Sequence, residues 1–306
     1  MSPVEPLDAW KTLVSSVQER RGPVMILGAP DSGKTTLAKF MVRELSGKKE
    51  AVAYIDGDMG QSTLGPPTTL GMVMLDGPCD NMDGISPRHV YFVGSTSPRG
   101  HGLETVVGLK RLLERSRIDG EPIAVVDTTG YVAGGDALEL KYQKMDLLNP
   151  RHIVAVQRDR ELEPILRTQQ GRRYALIHRL SPSPRVQRRS PEDRRRYRWS
   201  RFCEYFTSLH LHRIELRETS LTGTHHVRIH NRPQEHLEGL LVGLNDQDNF
   251  LVSLGLVETL DQAGGFLSCL VPTDADLERT RSVRLGSIRI NLSEETDGER
   301  PVGFDG

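Results

Sequence analysis

The chain has 306 residues and balances 40 Lys and Arg against 41 Asp and Glu, for a net charge of −1, so the charge as a whole carries no signal for a nucleic-acid partner. Its three cysteines, Cys79, Cys203 and Cys269, are far apart and show no C-x-x-C spacing, so they suggest neither a zinc site nor a disulfide framework and suit a reducing, cytoplasmic setting. No apolar run approaches the ~18 residues of a membrane span, and the N-terminus lacks a basic segment leading into an apolar one, so neither membrane insertion nor secretion is expected.

From about residue 23 to 180, short β-branched runs alternate with amphipathic segments of helical length, the pattern of a wound α/β sheet. Strands are expected at Val24–Leu27, Ala51–Ile55, His89–Val93, Ile123–Val126, Ile153–Val156 and Tyr174–His178. Helices are expected at Lys34–Leu45, Leu103–Arg115, Ala137–Leu147 and Leu162–Gln169. A link from Ser181 to Arg185 follows, then a charged helical stretch from about Pro191 to Phe206. From Leu209 onward the pattern changes to short apolar alternations, HHVRIH, GLLVGL, FLVSLGLV, GFLSCLV and SIRINL, separated by Gly, Asn and Asp turn signals. The expected architecture is an α/β three-layer αβα domain with a mostly parallel sheet over residues 1–206, plus a smaller β-rich domain over residues 207–306.

The first strand runs into GAPDSGKT, residues 28–35, a G-x-x-x-x-G-K-[ST] pattern placed between an apolar strand and an amphipathic helix. In that context Gly28, Ala29, Pro30, Asp31, Ser32, Gly33, Lys34, Thr35 and Thr36 would wrap nucleotide phosphates. The glycines let successive N–H groups turn inward, Lys34 reaches the β- and γ-phosphates, and Thr35 offers a hydroxyl to Mg²⁺. No N-K-x-D tetrapeptide follows the strand ending at Val156, so ATP is expected rather than GTP.

The second strand ends in DGDMGQ, residues 56–61. Alternate positions on extended chain point the same way, so Asp56 and Asp58 are both expected to face the γ-phosphate, Asp56 toward magnesium and Asp58 toward an acceptor hydroxyl. An Asp-Gly turn that merely caps the strand is the plainer reading. The fourth strand ends in D-x-x-G, Asp127 to Gly130, which puts Asp127 near magnesium. Tyr131 follows, either as an aromatic that stacks a base or as a ring packed under its own loop.

The stretch from Arg172 to Arg201 holds eleven arginines. Within it, helical spacing puts Arg194, Arg198 and Arg201 on one face with Arg195 beside them. Over a phosphate site such a helix is a lid that neutralises charge during transfer; by itself it is a solvated face or a grip on a nucleic-acid backbone.

Taken in this order, the motifs resemble those of the polynucleotide 5′-hydroxyl kinase family, whose members include the kinase subunit of the pre-mRNA cleavage machinery and a pre-ribosomal-RNA processing kinase. The resemblance spans about residues 23 to 206. GAPDSGKT resembles the family's P-loop, DGDMGQ its D-x-G-Q motif and YFVGSTSP, residues 91–98, its segment before the third helix. TTGY, residues 128–131, is similar to its T-x-G-W clasp with tyrosine for tryptophan, and RSPEDRRRYRWSRFCEYF to its arginine-rich lid with Cys203 for the final arginine.

The resemblance implies an ATP- and magnesium-dependent kinase acting on the 5′-OH end of RNA or DNA. Lys34, Asp58, Arg189, Arg194 and Arg198 would serve the transfer, Thr35, Asp56 and Asp127 the metal, and Gln61, Thr128, Gly130 and Tyr131 the acceptor. The larger relatives carry an N-terminal β domain, whereas about 20 residues precede the first strand here. A small-molecule kinase or NTPase, and an ATP-binding RNA-processing adaptor, are the competing readings.

Overall fold

The computed structural model describes residues 8–118, 120–223, 237–261 and 263–292. Its first sheet contains β1 (Val24–Gly28), β2 (Val52–Gly57), β3 (Thr69–Leu75), β4 (His89–Phe92), β5 (Ile123–Thr128), β6 (His152–Val156) and β7 (Leu176–Leu180). The order is β4-β3-β2-β5-β1-β6-β7. The five strands β2, β5, β1, β6 and β7 pair in parallel, and β3 pairs antiparallel with both β2 and β4.

Strand β1 is buried on both faces, which is why it reads as an unbroken apolar run. Alternate residues serve opposite layers. Val24 and Ile26 pack with α1 (Asp8–Glu19) and α2 (Lys34–Gly47), while Met25 and Leu27 pack with α4 (Gly135–Leu148) and α5 (Glu163–Arg167). Ala53 and Ile55 of β2 and Ala124 and Val126 of β5 turn toward Leu109, Leu112 and Leu113 of α3 (Gly102–Ser116). The result is the three-layer αβα arrangement with a mostly parallel sheet.

Several elements differ from the sequence expectation. Helix α1 was not foreseen, although Trp10, Leu13, Val14 and Val17 recur at helical spacing and are all buried. Strand β3 was also missed; its Gly71 lies against Leu64, where a side chain would not fit, and its glycine breaks the apolar run. Strand β7 begins two residues later than expected. Arg172 spends the preceding residues in a turn, donating to the Tyr174 hydroxyl at 2.9 Å while pairing with Asp146. Helix α5 is shorter than expected because its last turn tightens into i→i+3 bonds, from Thr168 to Ile165 and from Gln169 to Leu166.

A second sheet takes the order β8-β12-β11-β10-β13-β9. It contains β8 (Leu209–Glu215), β9 (Ser220–Thr222), β10 (Leu240–Asn245), β11 (Leu251–Asp261), β12 (Phe266–Pro272) and β13 (Ser282–Arg289), all antiparallel except the β13–β9 pair. The expected HHVRIH strand lies outside the described residues. Between the two sheets runs α6 (Pro191–Tyr205), whose Phe202 packs with Phe92, Phe206, Leu254 and Ile288. Close approach is obligatory there: a Cβ on Gly243 would sit 2.5 Å from the Phe92 ring.

Gly243→Ala therefore forces a shift in a packed interface and is expected to cost about 1–3 kcal/mol. Gly47→Ala, at a helical glycine with open space around it, is expected to stabilise by up to about 1 kcal/mol. Denaturant unfolding of the two variants reads the difference; equal effects would contradict the packing described.

Candidate active site

The parallel strands end together and define the site. Asp56 at the end of β2 is register partner to Asp127 at the end of β5, and Asp127 is partner to Ile26 of β1, two residues before the 28–35 loop. Gly28 has no room for a Cβ, which would lie 2.3 Å from Ser32 Oγ and 2.8 Å from the Val156 carbonyl. Gly33 takes φ +89 and starts α2 without a side-chain cap, so the first N–H groups of a 14-residue helix are left facing the loop.

Lys34 Nζ folds back to donate to the Ala29 carbonyl at 2.8 Å. Burial pushes its pKa down, against the opposing charges of Asp127, Asp58 and Asp31. Thr35 Oγ1 donates to Asp127 Oδ2 at 2.5 Å. Asp127 Oδ1 is buried with no partner among the described residues, and burial pushes this carboxyl up to about 7, with Lys34 working against the shift. A buried carboxylate with one unpartnered oxygen beside a threonine hydroxyl, under a helix N-terminus and a loop of inward N–H groups, fits a nucleoside triphosphate with its magnesium. Among the described residues no cluster of three or more His, Cys, Asp or Glu could hold a metal by itself.

The two carboxylates of DGDMGQ do not face the same way. Asp58 lines the cavity above the loop. Its Oδ1 accepts from the Gly60 and Gln61 N–H groups at 3.1 Å each, and among the described residues nothing bonds to Oδ2. Asp56 lies buried outside the cavity lining. Its Oδ2 accepts from Thr63 N at 2.6 Å, Thr63 Oγ1 at 2.9 Å and Leu64 N at 3.3 Å, and its Oδ1 from Asp58 N at 3.0 Å. Asp127, expected to share the metal with Asp56, is equally buried and also outside the cavity lining; the chain bends after Gly57, extended alternation stops, and the Asp56 carboxylate ties down the turn that carries Asp58.

The clasp loop closes over the phosphate loop from the other side. A Cβ on Gly130 would lie 2.6 Å from Pro30 N. Thr128 Oγ1 donates to the Ile26 carbonyl at 2.7 Å and accepts from the fully buried Lys141 at 2.9 Å; Lys141 also donates to the Thr129 carbonyl at 2.7 Å. Burial holds the Lys141 pKa well down, and one helical turn on, burial pushes Lys144 down to about 8 against the pull of Asp58. These two lysines were not foreseen, because on sequence alone a lysine in an amphipathic helix reads as its solvated face. Tyr131 lines the cavity, with the Arg99 guanidinium 5.9 Å from its ring centre.

Helix α6 lies over both loops. Ser190 and Asp193 form a reciprocal capping box at its start, with Asp193 N donating to Ser190 Oγ at 3.0 Å. Arg194 pairs with Asp31 of the phosphate loop at 2.5 Å, and Arg189 N donates to the same carboxylate oxygen at 3.1 Å. The Arg189 guanidinium donates to Gln61 Oε1 at 3.2 Å, and the Tyr197 hydroxyl to the Ser62 carbonyl at 2.8 Å.

Arg189, Arg194 and Arg198 line the cavity together with Ala29, Pro30, Asp31, Gly33, Thr35, Thr36, Gln61 and Gly130. Burial lowers the Arg198 pKa, and Arg195 and Arg194 beside it lower it further, a crowding of like charge that an anion would relieve. Arg201 turns away, to Glu204 at 2.7 Å. No local pattern marks Asp31 as the partner of Arg194; only the fold brings residue 31 to residue 194. Among the described residues no helix is long and apolar enough to cross a membrane.

The model of the family described as "mRNA cleavage and polyadenylation factor CLP1 P-loop" matches residues 28–208. The chain is similar to a polyribonucleotide 5′-hydroxyl-kinase of Methanocaldococcus jannaschii, 28% identical over 96% of this chain and 94% of that protein. It is also similar to a polyribonucleotide 5′-hydroxyl-kinase of Thermococcus kodakarensis, 29% identical over 94% of this chain and 93% of that one. Among solved structures, the wild-type Clp1p–Pcf11p complex includes a chain with the same fold, at a TM-score of 0.69 and 14% identity, over 94% of this chain and 80% of that one.

If Asp56 anchors the turn, Asp56→Ala leaves several buried donors unsatisfied at about 1–3 kcal/mol each. It is expected to destabilise the protein by at least about 3 kcal/mol, clearly more than Asp58→Ala. Denaturant melts of both variants, taken without nucleotide or magnesium, measure this; a larger loss in Asp58→Ala would contradict it.

Proposed function

The chain belongs to the CLP1 P-loop family, and from that premise we propose that it is an ATP-dependent polyribonucleotide 5′-hydroxyl kinase, moving the γ-phosphate of ATP to the 5′-OH end of RNA. The observation that carries the reading is the single cavity in which Asp58 and Tyr131 meet Lys34, Thr35 and the lid arginines. At about 1650 Å³ it exceeds a single small-molecule site, which takes roughly 300–1,000 Å³, and has room for a nucleotide and an acceptor end together.

In this reading the N–H groups of residues 28–35 and Lys34 hold the triphosphate. Thr35 and Asp127 would hold magnesium, which when bound neutralises phosphate charge. Asp58, fixed through Oδ1 by two N–H groups, presents Oδ2 to the acceptor hydroxyl and takes its proton. The 5′ oxygen then forms its bond to the γ-phosphorus as the bond to the bridging oxygen breaks, and ADP leaves with that oxygen. Arg194 exchanges Asp31 for phosphate, and with Arg189 and Arg198 it offsets the charge spread over the transferring group. Gln61, Thr128 and Gly130 shape the acceptor side, and Tyr131 stacks the terminal base. Residues 1–206 would then be the kinase domain and 207–306 a supporting β domain. A 5′-OH DNA end is also expected to be accepted, since none of these contacts requires a 2′-hydroxyl, and a cytoplasmic location suits three free thiols.

With γ-labelled ATP, magnesium and a 5′-OH oligoribonucleotide, label is expected on the 5′ end. Asp58→Ala is expected to cut turnover by about 10²–10⁴-fold with ATP binding retained, while Lys34→Ala loses both. Label released only as free phosphate, or found on a small alcohol but never on the oligonucleotide, would overturn the assignment.

A further inference from the structure

One side of the cavity is built from three short segments, Asp58 to Gln61, Thr96 to Arg99, and Thr129 to Gly135. Their lining residues are glycine, small polar and apolar residues and Tyr131, with only two charges, Asp58 and Arg99. The other cations of the cavity sit elsewhere: Lys34 in the phosphate loop, Lys39 paired with Asp83 at 2.7 Å, and the arginines from residue 185 onward. Among the described residues of these three segments Arg99 is the one cation in the lining, on the side where the acceptor would lie; Arg189 reaches that side only from the lid, through Gln61.

Its placement is built. Ser97 N donates to Ser95 Oγ and Arg99 N to Ser97 Oγ, each at 3.2 Å, and Gly100 turns the chain at φ +75 before His101 N closes on the Pro98 carbonyl at 3.0 Å. The segment also touches the Asp58 turn, where a Cβ on Gly60 would lie 2.6 Å from the Thr96 carbonyl. Among the described residues no carboxylate pairs with Arg99; its guanidinium rests 5.9 Å from the Tyr131 ring centre.

We propose that Arg99 is the specificity-determining residue for the acceptor, holding the phosphodiester that links the first and second nucleotides while Tyr131 stacks the first base. The inference rests on the kinase reading above. A 5′-terminal nucleotide carries its next anion one sugar away from the reacting oxygen, and a nucleoside or simple alcohol carries none there. A charge-assisted bond at that place therefore separates a polynucleotide end from a small hydroxyl compound. Arginine suits the task because its planar fork takes two phosphate oxygens at once.

The test pairs Arg99→Ala and Arg99→Lys with 5′-OH oligoribonucleotides whose first linkage is either natural or a neutral methylphosphonate; a third substrate carries the neutral group at the third linkage. The wild type is expected to lose about 10- to 100-fold in kcat/KM when the first linkage is neutral, and little when the third is. Arg99→Ala is expected to lose a similar factor on the natural substrate and nothing further on the neutral one, with unchanged ATP affinity; Arg99→Lys recovers part of the loss. Multiplying losses for the variant and the neutral first linkage would overturn the inference while leaving the kinase reading intact. No transfer to any oligonucleotide by the wild type would overturn both.

Discussion

The buried carboxylate of Asp56 is the constraint on which the site depends. It stands at the end of β2, in register with Asp127, and accepts from the backbone of residues 58, 63 and 64. Burial raises its pKa, opposed by the hydrogen bonds from Thr63 and Asp58 N. The turn it fixes carries Asp58 and Gln61 at the cavity and offers the Ser62 carbonyl to Tyr197 of the lid. One desolvated group thereby sets the acceptor wall and the seat of α6, and the hydrogen bonds that keep it there offset the cost of burying it.

The lid and the phosphate loop are coupled through a second carboxylate. Asp31, held at φ 52, takes both the Arg194 guanidinium and the Arg189 N–H. Lid arginines arranged this way need a competing anion to leave Asp31, and a triphosphate is such an anion. In the proposed reaction nucleotide binding and charge neutralisation would be one exchange of partners, with the helix already capped and packed through Phe202 against the second sheet. That sheet supports the lid from behind, and the same packing fixes Phe92 beside the glycines at positions 94 and 243.

Much of this was legible in the sequence where short-range patterns decide the structure. The 28–35 loop declares itself through two glycines and a lysine between a strand and a helix, and the apolar run of β5 leads into Asp127, which the strand includes before it ends at Thr128. Helix α6 starts at Pro191, where the charged helical stretch was expected to begin. What the sequence hid depends on contacts between distant segments. Asp56 and Asp58 look equivalent two positions apart, and only the bend after Gly57 assigns one to the core and the other to the cavity. Lys141 and Lys144 read as surface residues until α4 is packed against β1 and β5. Helix α1 buries only four apolar residues, Trp10, Leu13, Val14 and Val17, in a short segment without a basic last turn, so its helical spacing stands out only once it packs on α2 and β1.

The proposed chemistry centres on Asp58, which lines the cavity above the phosphate loop. The most direct test is a crystal structure with a non-hydrolysable ATP analogue, magnesium and a 5′-OH oligoribonucleotide. The terminal 5′ oxygen is expected to be hydrogen-bonded to Asp58 Oδ2, with Asp56 still bonded to Thr63 and Leu64 and making no metal contact. An acceptor end bound away from Asp58, or Asp56 released from its turn to ligate the metal, would contradict that expectation.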